Sequence, residues 1–547
     1  MLWATGLVFF KTQFLLGSEA PRPSLQLPII IVEAYGFQIT NQTKATAEIL
    51  VLTPFPLGSE RSCFLPVPGF TQRTAFLARI WVRGSSSAAY PKKPYRLELV
   101  DEGGSGLKSA LLGMPRESDW ILFPAYTDKT LMRDVLAYEL WRDMGHYAVR
   151  WRYVELFIQK SEIRNPKSEA NPNTENAKLE TGFSGSGRGV DAGMAGYEGV
   201  YVLMEKIKRG KHRVRIEKLR PEDSKEPEVT GGYIFKKDRL NPGETGFRTA
   251  NGVKFAFEEP KERYITPPQR QWLTNYLNEF EAVLFSERFA DPTNGYAKYI
   301  DVNSFIDFHW MVEATRNIDG YRFSQFYHKD RGGKLAMGPI WDMDMTFGNA
   351  FYHDGYKTNG WRWATADPEL YTWFARLFED PEFLQKYIDR WAVLRTNVFA
   401  TSNILARIDE WADYLKDAQV RNYQRWPTLG KFVSPNRYIG HTYEDEVRYL
   451  KNWITGRLAW IDSQGFPVPS CEVAQESSTG EMTLCMSCEM GKIYYTLDGS
   501  DPRLPGGKVS PVAIEYDSPI QASPGAIVTA RVRSEYELWS PPAVFRW

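Results

Sequence analysis

The chain has 547 residues, with 67 Lys plus Arg against 67 Asp plus Glu and a formal net charge of zero. At about 150 residues per domain this is two to four units, each able to bury a core, and 14% aromatic residues with 18 Trp exclude a disordered chain. Charge balance removes the basic footprint that bulk nucleic-acid binding requires, and no apolar run approaches the roughly 18 residues of a membrane span.

Residues 1–24 read as a lead-in. The apolar stretch 2–16 is broken by Lys11, Thr12 and Gln13, and Ser18-Glu-Ala20 is a poor cleavage site, so this segment does not establish export. Residues 25–100 read as strands: 27–32, 47–52, 76–82 and 95–100 are short runs bounded by Gly, Pro and Ser. A helical stripe follows at 129–144, with Leu131, Met132, Val135, Leu136, Leu140 and Trp141 on one face. Segments 153–158 and 199–204 are expected to pair as antiparallel strands. Between them, 159–195 carries almost no large apolar residue and is expected to be a long mobile insertion. From about 267 to 465 the period becomes helical, with faces at Trp272 to Leu284, Phe383 to Leu394 and Val447 to Trp460, interrupted by a strand-like segment at 323–350. The fold class predicted is α+β, a strand-rich first half and a helical second half making a two-lobed unit over 25–465. Residues 466–547 return to β, Pro and Gly and read as a separate module.

Four cysteines cannot form a disulfide scaffold. Cys485-Met-Ser-Cys488 has CxxC spacing, yet a zinc site needs a second pair and only Cys471 is near, so ordinary strand cysteines with room for one bridge are expected. The densest acidic cluster is Trp341-Asp342-Met-Asp344-Met-Thr-Phe347-Gly348-Asn349. Carboxylates at i and i+2 of an extended segment point to one side, and hard oxygens on a firm strand suit Mg²⁺. Upstream, Asp319 is followed five residues later by Ser324, the spacing with which kinase catalytic loops place a base and a metal ligand; the same residues could equally cap and turn a helix end. In Arg83-Gly84-Ser85-Ser86 a small-residue turn could let backbone and hydroxyl groups approach phosphate, with Lys92 and Lys93 leading into the next strand. A polar hairpin with solvated lysines is the plain alternative. No Walker, GxGxxG, HExxH or GxSxG motif is present, and His309 reads as packed within a helix rather than as a base.

Taken together, these segments resemble the CotH (spore coat protein H) kinase family, an atypical branch of the protein-kinase-like fold. The blocks are Leu27-Pro-Ile-Ile-Ile, Arg83-Gly-Ser-Ser, Pro91-Lys-Lys-Pro-Tyr-Arg, Leu111 to Trp120, Asp128-Lys-Thr-Leu-Met-Arg133, Tyr197-Glu-Gly-Val-Tyr-Val-Leu-Met-Glu205, Gly231-Gly-Tyr-Ile, Asn317-Ile-Asp319 and Gly338 to Asn349. The resemblance implies ATP-dependent phosphorylation of protein Ser or Thr with Mg²⁺ or Mn²⁺. It implies Asp319 as catalytic Asp, Asp342 and Asp344 as metal ligands with Ser324 beside them, and Arg83, Gly84, Ser85, Ser86, Lys92 and Lys93 facing phosphate. Glu205 would meet the nucleotide edge, and Arg133 and Glu139 would lie on the helix bracing the lysine. Lys93 is preferred as the inward, catalytic lysine because it shares parity with Tyr95, Leu97 and Leu99.

In the tail, Ile493-Tyr-Tyr-Thr-Leu-Asp498-Gly-Ser-Asp501-Pro502 is similar to the hairpin of the chitobiase C-terminal, immunoglobulin-like β-sandwich module. That likeness favours an extracellular or envelope protein and allows a cell-surface or carbohydrate partner; no nucleic-acid partner and no transmembrane segment are expected. Two other functions fit the same residues. One is a non-catalytic surface-binding protein on a kinase-like scaffold. The other is a nucleotidyltransferase holding ATP in the reverse direction.

Overall fold

The computed structural model describes residues 27–35, 39–54, 70–161, 195–240, 242–465, 468–476, 482–523 and 525–546. The lead-in and nearly all of the expected 159–195 insertion lie outside them, as does Cys63. The chain divides into two units: one holds the N-terminal part to Tyr126, Trp151–Lys206 and Asp413–Pro427, and the other holds Thr127–Arg150, Ile207–Ala412 and Thr428 onward. The protein is α+β with a β-rich C-terminal region.

In the first unit, β1 (Ile29–Tyr35), β2 (Ala45–Pro54), β3 (Phe70–Val82), β4 (Tyr95–Val100), β5 (Asp119–Phe123), β6 (Trp151–Ser161) and β7 (Tyr197–Glu205) close into a barrel in the order β1-β2-β3-β4-β5-β7-β6. Period-two alternation sends Ile30, Val32, Ala47, Ile49, Ala78, Ile80, Leu97 and Leu99 inward around Trp120 and Tyr201. β6 and β7 are antiparallel as expected, Val154 opposite Tyr201. Closure comes from the parallel pairing of β1 with β6, Ile30 opposite Leu156, which joins segments over 100 residues apart and has no local sequence signal. Closure pairs each described strand of the barrel on both sides.

The second unit opens with α1 (Arg133–Asp143). It starts later than the apolar stripe because the Asp128 carboxylate captures the N–H groups of Thr130 and Arg133, turning the chain before the helix begins. A five-stranded sheet follows from β8 (Tyr233–Lys237), β9 (Phe247–Arg248), β10 (Lys254–Glu259), β11 (Gln325–Lys329) and β12 (Leu335–Met337), in the order β12-β11-β8-β10-β9. Helices α2 (Pro267–Leu284), α3 (Val302–Thr315), α4 (Pro368–Leu377), α5 (Pro381–Thr396), α6 (Thr401–Tyr414) and α8 (Tyr443–Asp462) make up the helical part, while α7 (Lys416–Arg425) belongs to the first unit. Asp301, Asp367 and Asp380 cap α3, α4 and α5 by accepting backbone N–H groups, and α4 and α5 carry Pro in their first turn. His309 is buried in α3 with its ring nitrogens on Tyr371 and Tyr387 hydroxyls at 2.8 and 2.9 Å, a packed histidine as expected.

The C-terminal strands β13 (Ser470–Glu476), β14 (Met482–Ser487) and β17 (Ile520–Ala522) form one sheet. A second is built from β15 (Lys492–Thr496), β16 (Ile514–Glu515), β18 (Ile527–Arg533) and β19 (Ala543–Arg546). Leu484 and Ile520 of one sheet pack against Ile493, Val528 and Val532 of the other, so the region has its own core. It is fixed to α5 by charge: Arg531 makes two bonds to Asp389, at 2.7 and 2.9 Å, and Arg503 pairs with Glu382. Cys471, Cys485 and Cys488 are free thiols, so no bridge forms among them. Among the described residues no helix is long and apolar enough to cross a membrane.

Candidate active site

The acids of the second unit gather where α1 begins and where the loop after β12 meets the end of α3. That loop is not the extended strand expected from the i, i+2 spacing. β12 ends at Met337, and Asp342 has φ 63°, in the left-handed region that Asp tolerates better than most residues. Asp342 is exposed and Asp344 buried, so the two do not share one face of a strand.

Side chains from elsewhere hold this loop. Thr127 donates its hydroxyl to Asp344 Oδ2 at 2.6 Å, and the Met343 N–H donates to Asp134 Oδ1 at 2.9 Å. Asn349 Nδ2 donates to the Asp344 and Thr127 carbonyls, and Asn436 Nδ2 to Asn349 Oδ1 and the Thr127 carbonyl. The Phe347 N–H donates to the Thr315 carbonyl at the end of α3. Gly348, at φ 81°, turns the chain as expected. A Cβ there would lie 2.4 Å from the Trp453 ring, so only glycine fits.

Burial and like charge push these carboxyls up. Asp344 is raised to about 7, first by desolvation and then by Asp342, against the opposing hydrogen bond from Thr127. Asp134 is raised well above the usual carboxylate range by burial, then by Asp344 and Asp342. Its Oδ1 accepts from Met343 N–H and Tyr138 O–H, whereas Oδ2 is buried with no hydrogen-bond partner. An orphaned carboxylate oxygen beside two further acids is an arrangement that a cation relieves. Among the described residues, no three His, Cys, Asp or Glu side chains form a ready-made metal cage. Carboxylate oxygens are donors of the kind that a hard cation keeping its waters, such as Mg²⁺ or Mn²⁺, accepts.

Asp319 lies in the loop after α3, which turns at Arg316 (φ 50°). Its N–H donates to Asn317 Oδ1, and Asn317 Nδ2 reaches Met343 Sδ at 3.2 Å, tying this loop to the Asp342 loop. Asn317 thus caps and turns the chain as the structural alternative requires, while Asp319 stays half-buried beside Arg322 Nε at 3.4 Å. Burial raises the Asp319 carboxyl, and Arg322, Arg362, Arg239 and His353 oppose this. Ser324, at φ 52°, lines a small cavity with Asn317, Trp341 and Met343.

In the first unit, the order of the two lysines differs from the parity argument. Lys92 is the buried one, 1% exposed; its Nζ donates to the Val200 carbonyl and to Asn422 Oδ1 at 2.9 Å and sits over the Tyr201 ring. Pro94 and the preceding turn break the alternation before β4 begins at Tyr95, so residues 92–93 do not inherit its faces. Lys93 is half-buried and donates to the Ala88 carbonyl at 2.9 Å, clasping the 3₁₀ turn Ser86–Ala89. Ser85 and Ser86 are exposed beside Gly84, and the Arg83 N–H is bonded to the Pro94 carbonyl. Glu205 ends β7, fully buried opposite Trp120. On α1, Arg133 pairs with Asp128 and Glu139 with Arg142.

Asp134, Thr127, Arg362 and Asn436 escaped the sequence reading, and Asn349 stood in its motif without a role. A faint signal existed for Asp134, a carboxylate spaced i, i+4 from Tyr138 in the first turn of α1. Arg362 donates from Nε and Nη2 to the Ile318 carbonyl, fixing the peptide next to Asp319, and nothing in its local sequence marks it.

The model of the CotH kinase protein family matches residues 80–461, well over half of the chain. The chain belongs to that family, whose name suggests a kinase-like protein. Residues 483–538 match a second model, described as Fn3 associated. No curated protein matches the chain.

Proposed function

We propose that this protein is an ATP- and divalent-metal-dependent kinase that phosphorylates Ser or Thr of secreted or surface proteins. The observation that carries the reading is the orphaned Asp134 Oδ2, buried at the start of α1 beside Asp342 and Asp344. Asp342 and Asp344, with Asp134 behind them, would hold Mg²⁺ or Mn²⁺. When bound, that ion supplies positive charge against the nucleotide phosphates. Asp319 would accept the proton of the acceptor hydroxyl; Asn317 and Arg362 orient its peptide, and burial lifts its proton affinity toward that of a base. The exposed Ser85–Ser86 turn, clasped by Lys93, offers backbone and hydroxyl donors suited to phosphate oxygens. Catalysis of this kind is positioning and charge stabilisation.

The test is incubation of the full chain with ATP, Mn²⁺ or Mg²⁺ and Ser-containing acceptors, read by intact mass. Phosphorylation adds about 80 Da, nucleotidylation about 329 Da, and a binding protein adds nothing. Asp342→Asn, at an exposed position, is expected to fold and to abolish transfer. Undiminished transfer by that variant refutes the assignment.

A further inference from the structure

The surroundings of Asp319 carry more positive charge than one carboxylate requires. β8 and β11 are antiparallel with Lys237 opposite Gln325, and two residues beyond that pair the same register brings Arg239 towards Phe323. The guanidinium carbons of Arg239 and Arg322 both lie over the Phe323 ring, 4.5 and 4.4 Å from its centroid. Arg322 also reaches Asp319 through Nε, and its Nη1 contacts His353 Nε2 at 3.3 Å. Arg362 is already committed, to the Ile318 carbonyl and to Thr365 Oγ1 at 3.0 Å. Nearby acids are also engaged: Asp238 with Lys236, and Asp354 with Lys357. Arg239 is exposed and, among the described residues, pairs with no carboxylate. Two arginines stacked on one aromatic ring repel each other, and a planar anion that accepts from both relieves that repulsion.

We propose that Arg239 and Arg322, mounted on Phe323 beside Asp319, form an acceptor subsite that selects peptides with an acidic side chain next to the phosphorylated Ser or Thr. The proposal rests on the kinase reading and names its substrate class. Phe323 sets the height of the guanidinium planes, and Arg322 links the subsite to the base, so engaging the acidic neighbour would also orient the acceptor hydroxyl. Arg239 is a specificity residue here, since it touches the acceptor and not the transferred group.

The experiment uses the full chain, ATP with Mn²⁺, and three synthetic peptides carrying one Ser flanked by Asp, Ala or Lys. The expected result is an acceptor KM for the Asp peptide on the order of tenfold below that for the Ala peptide, the size of one charge-assisted hydrogen bond. Arg239→Glu is expected to reverse the order of the Asp and Lys peptides. Equal KM for the Asp and Ala peptides overturns the proposal. It is also overturned if Arg239→Glu raises the KM for ATP and leaves the peptide order intact, which would assign the guanidinium to a nucleotide phosphate. Whether any peptide is labelled at all tests the kinase reading separately. If none is, fluorescence anisotropy of the labelled peptides still decides the subsite: preferential binding of the Asp peptide upholds it, and equal binding removes it.

Discussion

The loop bearing Asp319 is expected to depend on one carboxylate that never meets substrate. Glu313, in the last turn of α3, is 0% exposed; its carboxylate accepts from Tyr321 O–H at 2.7 Å, Trp363 N–H at 2.9 Å and Arg362 N–H at 2.6 Å, and forms an ion pair with Arg457, whose Nη2 lies 3.5 Å from Oε2. Arg457 is equally buried and spends its remaining donors on the carbonyls of Glu313, Thr358 and Gly360. Glu313→Gln keeps the shape but places an amide N–H₂ against a backbone N–H donor, and removes the only negative charge within this pair. Breaking a buried ion pair by removing one partner costs about 3–5 kcal/mol. Losing a charge-assisted acceptor falls within that range rather than adding to it. At about 1.4 °C per kcal/mol for a unit of some 350 residues, the unfolding midpoint should fall by roughly 5 °C. The assay is tryptophan fluorescence on heating, for Glu313→Gln, Arg457→Met and the double variant. Coupling above about 1 kcal/mol is expected, since with Arg457 gone the carboxylate has less to compensate. A loss under about 1 kcal/mol in Glu313→Gln, or strict additivity in the double variant, refutes the reasoning.

Three further outcomes follow from other buried groups. Burial holds the His309 ring well below its usual proton affinity, so the folded state resists its protonation. Stability contributed by this neutral ring is complete above the unfolded value near 6.5 and lost as pH falls below it, by up to about 1.4 kcal/mol per pH unit. His309→Gln should therefore flatten the acid limb of a urea-denaturation series by one proton; an unchanged slope contradicts the assignment. In the first unit, Lys92→Met should keep the barrel folded, because burial already opposes the lysine charge, and should cost about 1–3 kcal/mol through the lost Val200 and Asn422 bonds, measured by urea unfolding. In the C-terminal region, Arg531→Met removes the partner of Asp389 and Asp501, and should speed limited proteolysis of that region at least several-fold, as read by gel.

The parts legible from sequence were those with local periodicity. β2 and β4 alternate in burial, α5 and α8 present the faces expected, and β6 with β7 pair as read. Strand β5 and the parallel β1–β6 pairing were not legible, because closure depends on partners far apart in sequence. Parity failed for Lys93 because a proline turn resets side-chain direction, and the i, i+2 rule failed for Asp342 because the segment is a loop with a left-handed residue. Asp319, Asp342 and Asp344 stood out from motif spacing as candidates. Asp134 was missed because a buried acid in a helix that also carries Arg133, Glu139, Arg142 and Asp143 looks like one more surface residue in a one-dimensional pattern.

The site loops share a feature that decides how variants should be chosen. They carry little regular structure, so their backbone polar groups are paired by side chains from elsewhere: Asp128 on the turn before α1, Asn349 and Asn436 on the Thr127 and Asp344 peptides, Arg362 on the Ile318 carbonyl. Unpaired, each buried group would cost about 1–3 kcal/mol. At the Asp342 loop the shaping amides Asn349 and Asn436 are thus distinct from the exposed carboxylate of Asp342. Removing an acid such as Asp342 takes away charge while the amides still shape the loop, so a loss of activity there speaks to chemistry. Removing Asn349 or Arg362 takes away the shape itself, and a loss of activity there should be accompanied by a lower unfolding midpoint. If Asp342→Asn and Asn349→Ala lowered the midpoint equally, this separation of roles would be wrong.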